Sequence, residues 1–348
     1  LANNQHDQNG TWCFDGVDSM VITPLMAFER EARVSAQRGF HWSREVLGEK
    51  AIRQMAAEAK KADVILYFAG EEAMISGEAK TRAHLDLPGD QTAQLEALKA
   101  TGKPVVMIVM AGRPLCLDHE VELVDAVLYA YHGGTMQGPA LYNVLTGAVN
   151  PSGRLTTTFP HAVGQIPFYY NRANTGRPTW GKKEHNFWNI PVNAGQFSIG
   201  SSTYWLEYGM ESAFPFGYGL SYTTFEYSDV VLSDSVLTTG SLFATCTVTN
   251  TGKVAGQEVA QLYIRDEVGS VSRPVRELKG FEKISLAAGE SREVRFEITP
   301  ETLAYWHYDS QRTMGADGAY ELSAEPGWFS VWIAPNADAG MPKRFVLK

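Results

Sequence analysis

The sequence has little cysteine, no excess of basic residues and no long hydrophobic run. Its three cysteines, among 348 residues, are too few and too scattered for a disulfide framework or a CxxC metal site. The 30 Lys and Arg are outnumbered by 39 Asp and Glu, which gives a net charge of −9 and leaves no basic block to neutralise phosphates. No stretch reaches the roughly 18 to 20 apolar residues that span a bilayer. These absences argue against a nucleic-acid partner and a membrane span.

Several catalytic motifs are also missing. The sequence contains no GxSxG nucleophile elbow, no HExxH, no GxxxxGK[ST] and no GxGxxG after a strand. Their absence argues against triad hydrolases, zincins, nucleoside triphosphatases and dehydrogenases. The eight histidines follow no spacing that is typical of metal ligands. We therefore expect neither a metal ion nor a cofactor.

The apolar residues that are present, 44% of the chain, suffice for ordinary cores, and the length favours two domains. The first half alternates apolar runs of strand length with segments of helical periodicity. Strands are predicted at residues 64–69, 105–111 and 124–131, and helices at 51–61, at 91–101 with Asp90 as its N-cap, and at 138–145. This alternation predicts an α/β sandwich with a doubly wound, mostly parallel sheet, which we assign to residues 1–160.

From about residue 229 the pattern changes to period two. Alternation at residues 242–248, 260–264, 294–298 and 329–333, with turns such as Asn250-Thr251-Gly252, predicts an all-β sandwich of immunoglobulin or fibronectin III type over residues 229–348. The segment between the two domains, residues 161–228, is rich in aromatic residues and too long for a plain connector. We expect an ordered loop whose aromatic side chains either join the domains or contact a ligand.

Ligands of a parallel α/β sheet gather at the carboxyl ends of its strands. Here those ends are followed by Gly70-Glu71-Glu72, Gly112-Arg113-Pro114 and His132-Gly133-Gly134. Glu78 lies just beyond the first strand and is the candidate for acid chemistry, because general acid–base catalysis needs a titratable group in the cleft. Position alone does not distinguish it from a solvated loop glutamate.

A series of motifs follows along the chain in a fixed order. In the α/β half they are Gly77-Glu78-Ala79-x-x-Arg82, Leu87-Pro88-Gly89-x-Gln91, Thr101-Gly102-Lys103-Pro104, Gly112-Arg113-Pro114-Leu115 and Asn150-Pro151-Ser152-Gly153-Arg154-Leu155. Later ones are Thr158-Phe159-Pro160, Asn174-Thr175-Gly176-Arg177-Pro178, Phe216-Gly217-Tyr218-Gly219-Leu220 and Leu278-Lys279-Gly280-Phe281-Glu282. Together they resemble glycoside hydrolase family 3, in its bacterial periplasmic β-glucosidase branch, over nearly the whole chain.

The resemblance implies a retaining, exo-acting hydrolase of β-glucosides or β-linked oligosaccharides that is periplasmic or secreted. In this family a TIM-like barrel supplies an Asp nucleophile, and the α/β sandwich that follows supplies a Glu acid/base. Retention needs two carboxyl groups about 5 to 5.5 Å apart, and the sequence holds one half of that pair. It resembles the C-terminal portion of such an enzyme, beginning after the first strand of the α/β sandwich, so the barrel portion is its expected partner.

By the same resemblance the acid/base residue falls on Glu78, where it would hold a proton for the leaving group. Arg82 completes the family's loop pattern and is expected to order the loop or to contact substrate. Glu71, one residue past the strand, is the alternative acid/base because it is equally able to face the cleft. In the lengthened aromatic loop, Trp180, Trp188 and Trp205 are candidates for leaving-group subsites, since aromatic faces stack on the apolar faces of sugars.

Two other functions remain open from the sequence. The chain could be a non-catalytic carbohydrate-binding or interaction module, because both folds are reused for capture and adhesion. Phosphorolysis also occurs in the wider family and is usually accompanied by a His in the acid/base position; the Glu at position 78 argues against it.

Overall fold

In the computed structural model, residues 1–179, 185–196, 198–308 and 320–348 are described. They form two compact units. The first comprises Leu1–Val149 with Phe159–Ile166, and the second Asn150–Thr158 with Pro167–Lys348. The aromatic-rich segment 161–228 thus falls largely in the second unit. Among the described residues no helix is both long and apolar enough to cross a membrane.

The first unit contains a parallel sheet of three strands in the order β1-β2-β3. Strand β1 pairs with β2 from Ile65↔Val105 to Gly70↔Met110, and β2 pairs with β3 in the same direction. The strands are β1 (Ile65–Gly70), β2 (Val105–Met110) and β3 (Ala126–Tyr129). The predicted parallel α/β layer is therefore confirmed, with each strand within two residues of its predicted bounds.

Helices lie between the strands and supply one side of a core that includes Leu95 and Leu98, both buried against β1 and β2. The predicted helices at 51–61, 91–101 and 138–145 are confirmed. The helices of this unit are α1 (Gln5–Asn9), α2 (Pro24–Glu31), α3 (Glu49–Ala59), α4 (Gln91–Lys99), α5 (Asp118–Leu123) and α6 (Gln137–Leu145).

Two details of this unit differ from the prediction. Asp90 precedes α4, but its side chain makes no capping bond; its Oδ2 instead accepts the backbone N–H of Leu47 at 2.7 Å, ahead of α3. Strand β3 comes from a continuous apolar run, which is typical of a strand buried on both faces, yet Ala126 and Val127 are exposed. The physical reason is that β3 pairs on one side only within the described sheet, so it has less cover than the central strand β2.

The second unit is a sandwich of two sheets, as predicted. The first sheet has the order β10-β7-β4 with β5 also paired to β7, and the second has the order β6-β14-β13-β8-β9. Alternate residues of β7 (Leu242, Ala244, Cys246, Val248) share one hydrophobic core with Leu262 of the opposite sheet. Its elements are β4 (Phe225–Tyr227), β5 (Val231–Leu232), β6 (Val236–Leu237), β7 (Leu242–Asn250), β8 (Gly256–Asp266), β9 (Glu277–Leu286), β10 (Ser291–Ile298), α7 (Pro300–Leu303), β11 (Tyr305–Tyr308), β12 (Tyr320–Ser323), β13 (Gly327–Ala334) and β14 (Lys343–Leu347).

The ends of β1 and β2 approach each other closely at one glycine. Gly70 has φ +121°, and a Cβ built there would lie 2.0 Å from the carbonyl oxygen of Met110. Both its N–H and its C=O bond the buried side chain of Gln91, at 2.8 and 2.9 Å. A side chain at position 70 would therefore push apart the two strands that carry the loops described below.

We expect Gly70→Ala to lower the free energy of unfolding of the first unit by about 3 kcal/mol or more, since it combines a strained φ with overpacking against backbone. The measurement is urea unfolding of the chain. Gly164→Ala is the matched control, because a Cβ there meets nothing within 4 Å; it should change the free energy by less than about 0.5 kcal/mol. Equal stability of the two variants would contradict the close approach.

Candidate functional site

The loops that follow β1 and β2 meet at one edge of the parallel sheet. Parallel strands place their carboxyl ends at the same edge, so the segments after Gly70 and Met110 are neighbours. Hydrogen bonds join them: the Gly112 N–H donates to Ser76 Oγ at 3.0 Å, and the Glu71 N–H donates to the Met110 carbonyl at 2.7 Å. The strand-end cluster predicted from the sequence is thus assembled from these two loops.

Glu71 lies at the centre of this cluster and is fully buried. Its Oε1 pairs with Arg82 Nη1 at 2.8 Å, and its Oε2 pairs with Arg113 Nε at 3.0 Å. A buried carboxylate is tolerated when its charge and its lone pairs are matched in this way. Glu71 therefore uses both oxygens to hold two arginines.

The two arginines in turn hold the backbone of the loop that follows. Arg113 Nη2 donates to the carbonyls of Ile75 at 2.6 Å and Lys80 at 2.7 Å. Arg82 Nη1 donates to the carbonyl of Asp86 at 3.0 Å. We call residues 75–86 the acid loop, and Glu71 with its two arginines the arginine clamp. The clamp fixes the acid loop at three carbonyl groups.

The turn of the acid loop depends on a glycine. Gly77 has φ +146°, and a Cβ at this position would lie 2.3 Å from Thr11 Oγ1. That hydroxyl donates to the Ser76 carbonyl at 2.8 Å, which ties the segment before α2 to the turn. The next residue but one, Ala79, also has a left-handed backbone, with φ +58°. The backbone on both sides of Glu78 is thus bent and held from outside.

Glu78 is exposed at this turn. No hydrogen bond or ion pair joins its carboxyl to another residue of the described part of the chain. The structure therefore places the two candidate glutamates differently: Glu71 is buried and doubly paired, whereas Glu78 projects from a loop that the clamp holds. Arg82 bonds Glu71 and Asp86, which is the loop-ordering geometry; its contact with substrate stays a prediction.

Two further residues after β1 hold other segments. Glu72 accepts the Ser43 N–H at 3.1 Å, donates its own N–H to Ser43 Oγ at 3.1 Å and pairs with Arg44 at 2.6 Å. Ala73 donates its N–H to the buried carboxylate of Asp7 at 2.8 Å. Three consecutive residues therefore anchor three different parts of the first unit.

Tyrosines line the cluster on the β3 side. Tyr129 donates its hydroxyl to the Arg113 carbonyl, and its ring contacts Tyr131 at 4.9 Å between centroids. Burial raises the pKa of Tyr129 well above its ordinary value, and the negative charges that Tyr131 and Glu71 carry when ionised raise it further. Burial also raises the pKa of Tyr131. Both hydroxyls are therefore neutral donors at physiological pH.

The tryptophan candidates lie apart from the clamp in sequence. Trp188 is 82% exposed, and Trp205 is half-buried with its ring 5.1 Å from that of Phe168. The segments that carry them are joined by the Phe187 N–H, which donates to the Leu206 carbonyl at 2.7 Å. Trp180 lies outside the described residues. Contact of these side chains with a sugar stays a prediction.

Arg113 is the functional residue that the sequence analysis did not single out. It appeared there only within the Gly112-Arg113-Pro114 motif at a strand end. A signal was available, because an arginine and a glutamate directly after two adjacent parallel strands are expected to meet at the same sheet edge. The pairing itself spans 42 residues of sequence and depends on the register of β1 with β2.

The α/β unit matches the C-terminal domain of a glycoside hydrolase family. Residues 2–222 match the model of the glycosyl hydrolase family 3 C-terminal domain, and residues 258–337 match a fibronectin type III-like domain. The chain belongs to glycosyl hydrolase family 3. The resemblance noted in the sequence is thus confirmed.

Similar proteins extend over more residues than this chain. It is 37% identical to a periplasmic beta-glucosidase of Salmonella typhimurium, over 97% of the chain and 44% of that protein. It is 36% identical to a beta-xylosidase of Formosa agariphila, over 81% of the chain and 35% of that protein. The structure of a beta-glucosidase from Listeria innocua in complex with isofagomine matches with a TM-score of 0.84 and 32% identity, over 100% of the chain and 45% of that structure. The chain thus spans less than half the length of these relatives.

The clamp predicts a strong dependence of stability on the charge of Glu71. We expect Glu71→Gln to lower the free energy of unfolding of the first unit by about 3 kcal/mol or more, because two largely buried arginines lose their counter-charge. Urea unfolding checks this. Glu96→Gln is the control, since Glu96 is exposed and, among the described residues, pairs only with His119 at the surface; it should cost less than about 1 kcal/mol. A Glu71→Gln variant as stable as this control would contradict the account.

Proposed function

We propose that this chain is the C-terminal part of a retaining, exo-acting β-glucosidase in which Glu78 is the acid/base. One observation carries the proposal: the Glu78 carboxyl is exposed, unpaired within the described residues and presented by a loop that buried ion pairs hold. In the first step Glu78 donates its proton to the glycosidic oxygen as the bond to the sugar breaks. In the second, its carboxylate takes a proton from the water that releases the sugar from the enzyme.

The geometry favours Glu78 over Glu71 for this role. A general acid must reach the leaving oxygen within hydrogen-bond distance. Glu71 has no exposed surface, and each of its oxygens is occupied by an arginine. Releasing it would leave two guanidinium groups without their shared counter-charge. Glu71 therefore acts on the loop and not on the substrate.

Retention also needs a nucleophile about 5 to 5.5 Å from the acid/base carboxyl. We propose that an Asp of an N-terminal TIM-like barrel portion supplies it, consistent with relatives more than twice as long as this chain. The substrate class is β-linked glucosides or oligosaccharides, since the relatives include proteins named beta-glucosidase. The periplasm is the proposed location, after the name of the Salmonella relative. Trp188, exposed to solvent, is proposed to stack on the leaving-group sugar.

The surface beside the acid loop supports a partner at this edge. The Thr11 hydroxyl donates to the Ser76 carbonyl, and the exposed Trp12 and Phe14 follow Thr11 in the sequence. The Ile22 N–H donates to the Thr135 carbonyl at 2.9 Å. These bonds bring together segments with large exposed apolar side chains, which mark interaction surfaces. We call these five exposed side chains the apolar rim: Trp12 (60% exposed), Phe14 (85%), Met20 (65%), Met74 (60%) and Met136 (56%). The proposed occupant of the rim is the barrel portion.

In the complete enzyme we expect Glu78→Gln to lower kcat/KM for alkyl glucosides by about 1,000-fold but for dinitrophenyl glucosides by about 10-fold or less, since good leaving groups need little protonation. Steady-state kinetics on both substrates is the measurement. The control is Glu58→Gln, which should leave both values unchanged, since Glu58 lies on a helix and its carboxyl pairs with no described residue other than Lys61. Equal losses on the two substrates, or none, would refute Glu78 as the acid/base.

The rim predicts binding of the barrel portion in trans. We expect Phe14→Glu to weaken the association of this chain with a separately produced barrel portion by about tenfold or more, because an aromatic side chain that the proposed contact buries is replaced by a charge. Calorimetric titration gives the dissociation constants. Phe281→Glu, on the sandwich and also exposed (67%), is the matched control and should not change them. Unchanged binding in Phe14→Glu would contradict the placement of the partner.

A further inference from the structure

Arg113 uses three N–H groups of its guanidinium on three different acceptors. Its Nε donates to Glu71 Oε2 at 3.0 Å, and its Nη2 donates to the carbonyls of Ile75 and Lys80 at 2.6 and 2.7 Å. Ile75 stands three residues before Glu78, and Lys80 stands two residues after it. One nitrogen therefore closes the loop across the residue that carries the carboxyl.

The charges of the clamp balance once Asp86 of the acid loop is included. Two guanidinium groups, Arg82 and Arg113, are matched by two carboxylates, Glu71 and Asp86, with Asp86 Oδ1 3.5 Å from Arg82 Nη2. The bonds from these arginines to the acid loop all go to backbone carbonyls, those of Ile75, Lys80 and Asp86. Its effect on Glu78 is thus one of position.

We propose that Arg113 is a positioning residue for the acid/base carboxyl, acting through the carbonyls of Ile75 and Lys80. The proposal rests on the proposed function of Glu78. The fork geometry of the guanidinium is required, because a lysine ammonium at this site is a point charge that cannot meet the carboxylate and both carbonyls together. Glu71 serves the arginine in turn, by fixing the plane of its guanidinium.

A double-mutant cycle in the complete enzyme tests this. We expect Arg113→Lys to lower kcat/KM for alkyl glucosides about tenfold more than for dinitrophenyl glucosides, and to have an effect below about twofold in the Glu78→Gln background. Arg44→Lys is the matched control, since Arg44 pairs with buried Glu72 at the same sheet edge but, within the described residues, makes no bond to the acid loop. It should leave the ratio of the two substrates unchanged.

Backbone hydrogen exchange of this chain alone gives a second readout that needs no activity. We expect amides of residues 77–80 to exchange about tenfold faster or more in Arg113→Lys than in Arg44→Lys, since their local opening is no longer opposed by the fork. Arg113→Gln, which keeps a donor but no charge, covers the case in which the lysine variant fails to fold.

Each outcome decides between the two proposals. The losses of kcat/KM caused by Arg113→Lys and by Glu78→Gln could multiply in the double variant, while the loss caused by Glu78→Gln still depends on the leaving group. That result would overturn the positioning role and leave the acid/base assignment standing. Absence of leaving-group dependence in Glu78→Gln would overturn both. Unchanged exchange at residues 77–80 would overturn the positioning role whatever the kinetics. An effect of Arg113→Lys that disappears in the Glu78→Gln background, together with faster exchange at residues 77–80, would support the positioning role.

Discussion

The arrangement of the first unit depends on the burial of one negative charge. The Glu71 carboxylate has no exposed surface, and it is matched by Arg82 and Arg113, whose side chains remain only 18% and 20% exposed. Such a charge is expensive to bury and even more expensive to leave unpaired, so the three side chains form a unit that is kept whole or lost together. The same arginines also bond carbonyls of the acid loop. Moving the backbone around Glu78 therefore disturbs the ion pairs of Glu71 and carries their energetic cost.

Close backbone packing makes this arrangement possible. Gly70 lets β1 approach β2 at the point where Glu71 leaves the sheet, and Gly77 lets the loop turn against Thr11. The two residues after Glu71 also hold distant segments, since Glu72 is bonded to Ser43 and Ala73 to Asp7. The end of one strand thus anchors several segments that are far apart in sequence. The backbone that carries Glu78 is thus held in place, while the Glu78 side chain itself is exposed.

More of the fold than of the candidate site could be predicted from the sequence. Apolar runs and period-two alternation report burial directly, and they located β1 and β2 within one residue and the central parts of β7, β8, β10 and β13, whose ends lie up to four residues further out. The patterns did not predict the exposure of β3, which depends on how many strands pair with it. The N-cap prediction for Asp90 was also wrong, because its carboxylate accepts the distant backbone N–H of Leu47 and does not cap α4. The motifs led to Glu78 and left Glu71 as the alternative. The burial of Glu71 and its pairing with Arg82 and Arg113, the second of which depends on the sheet register, distinguish the two glutamates.

The central claim is that Glu78, and not Glu71, completes the catalytic pair of a retaining glycosidase. The most direct measurement is the crystal structure of the complete enzyme, read for the separation between the Glu78 carboxyl and the nearest carboxyl of the barrel portion. The account predicts a separation of about 5 to 5.5 Å with both arginines still on Glu71. A barrel carboxyl that approaches Glu71 instead, or none within about 10 Å of Glu78, would contradict it.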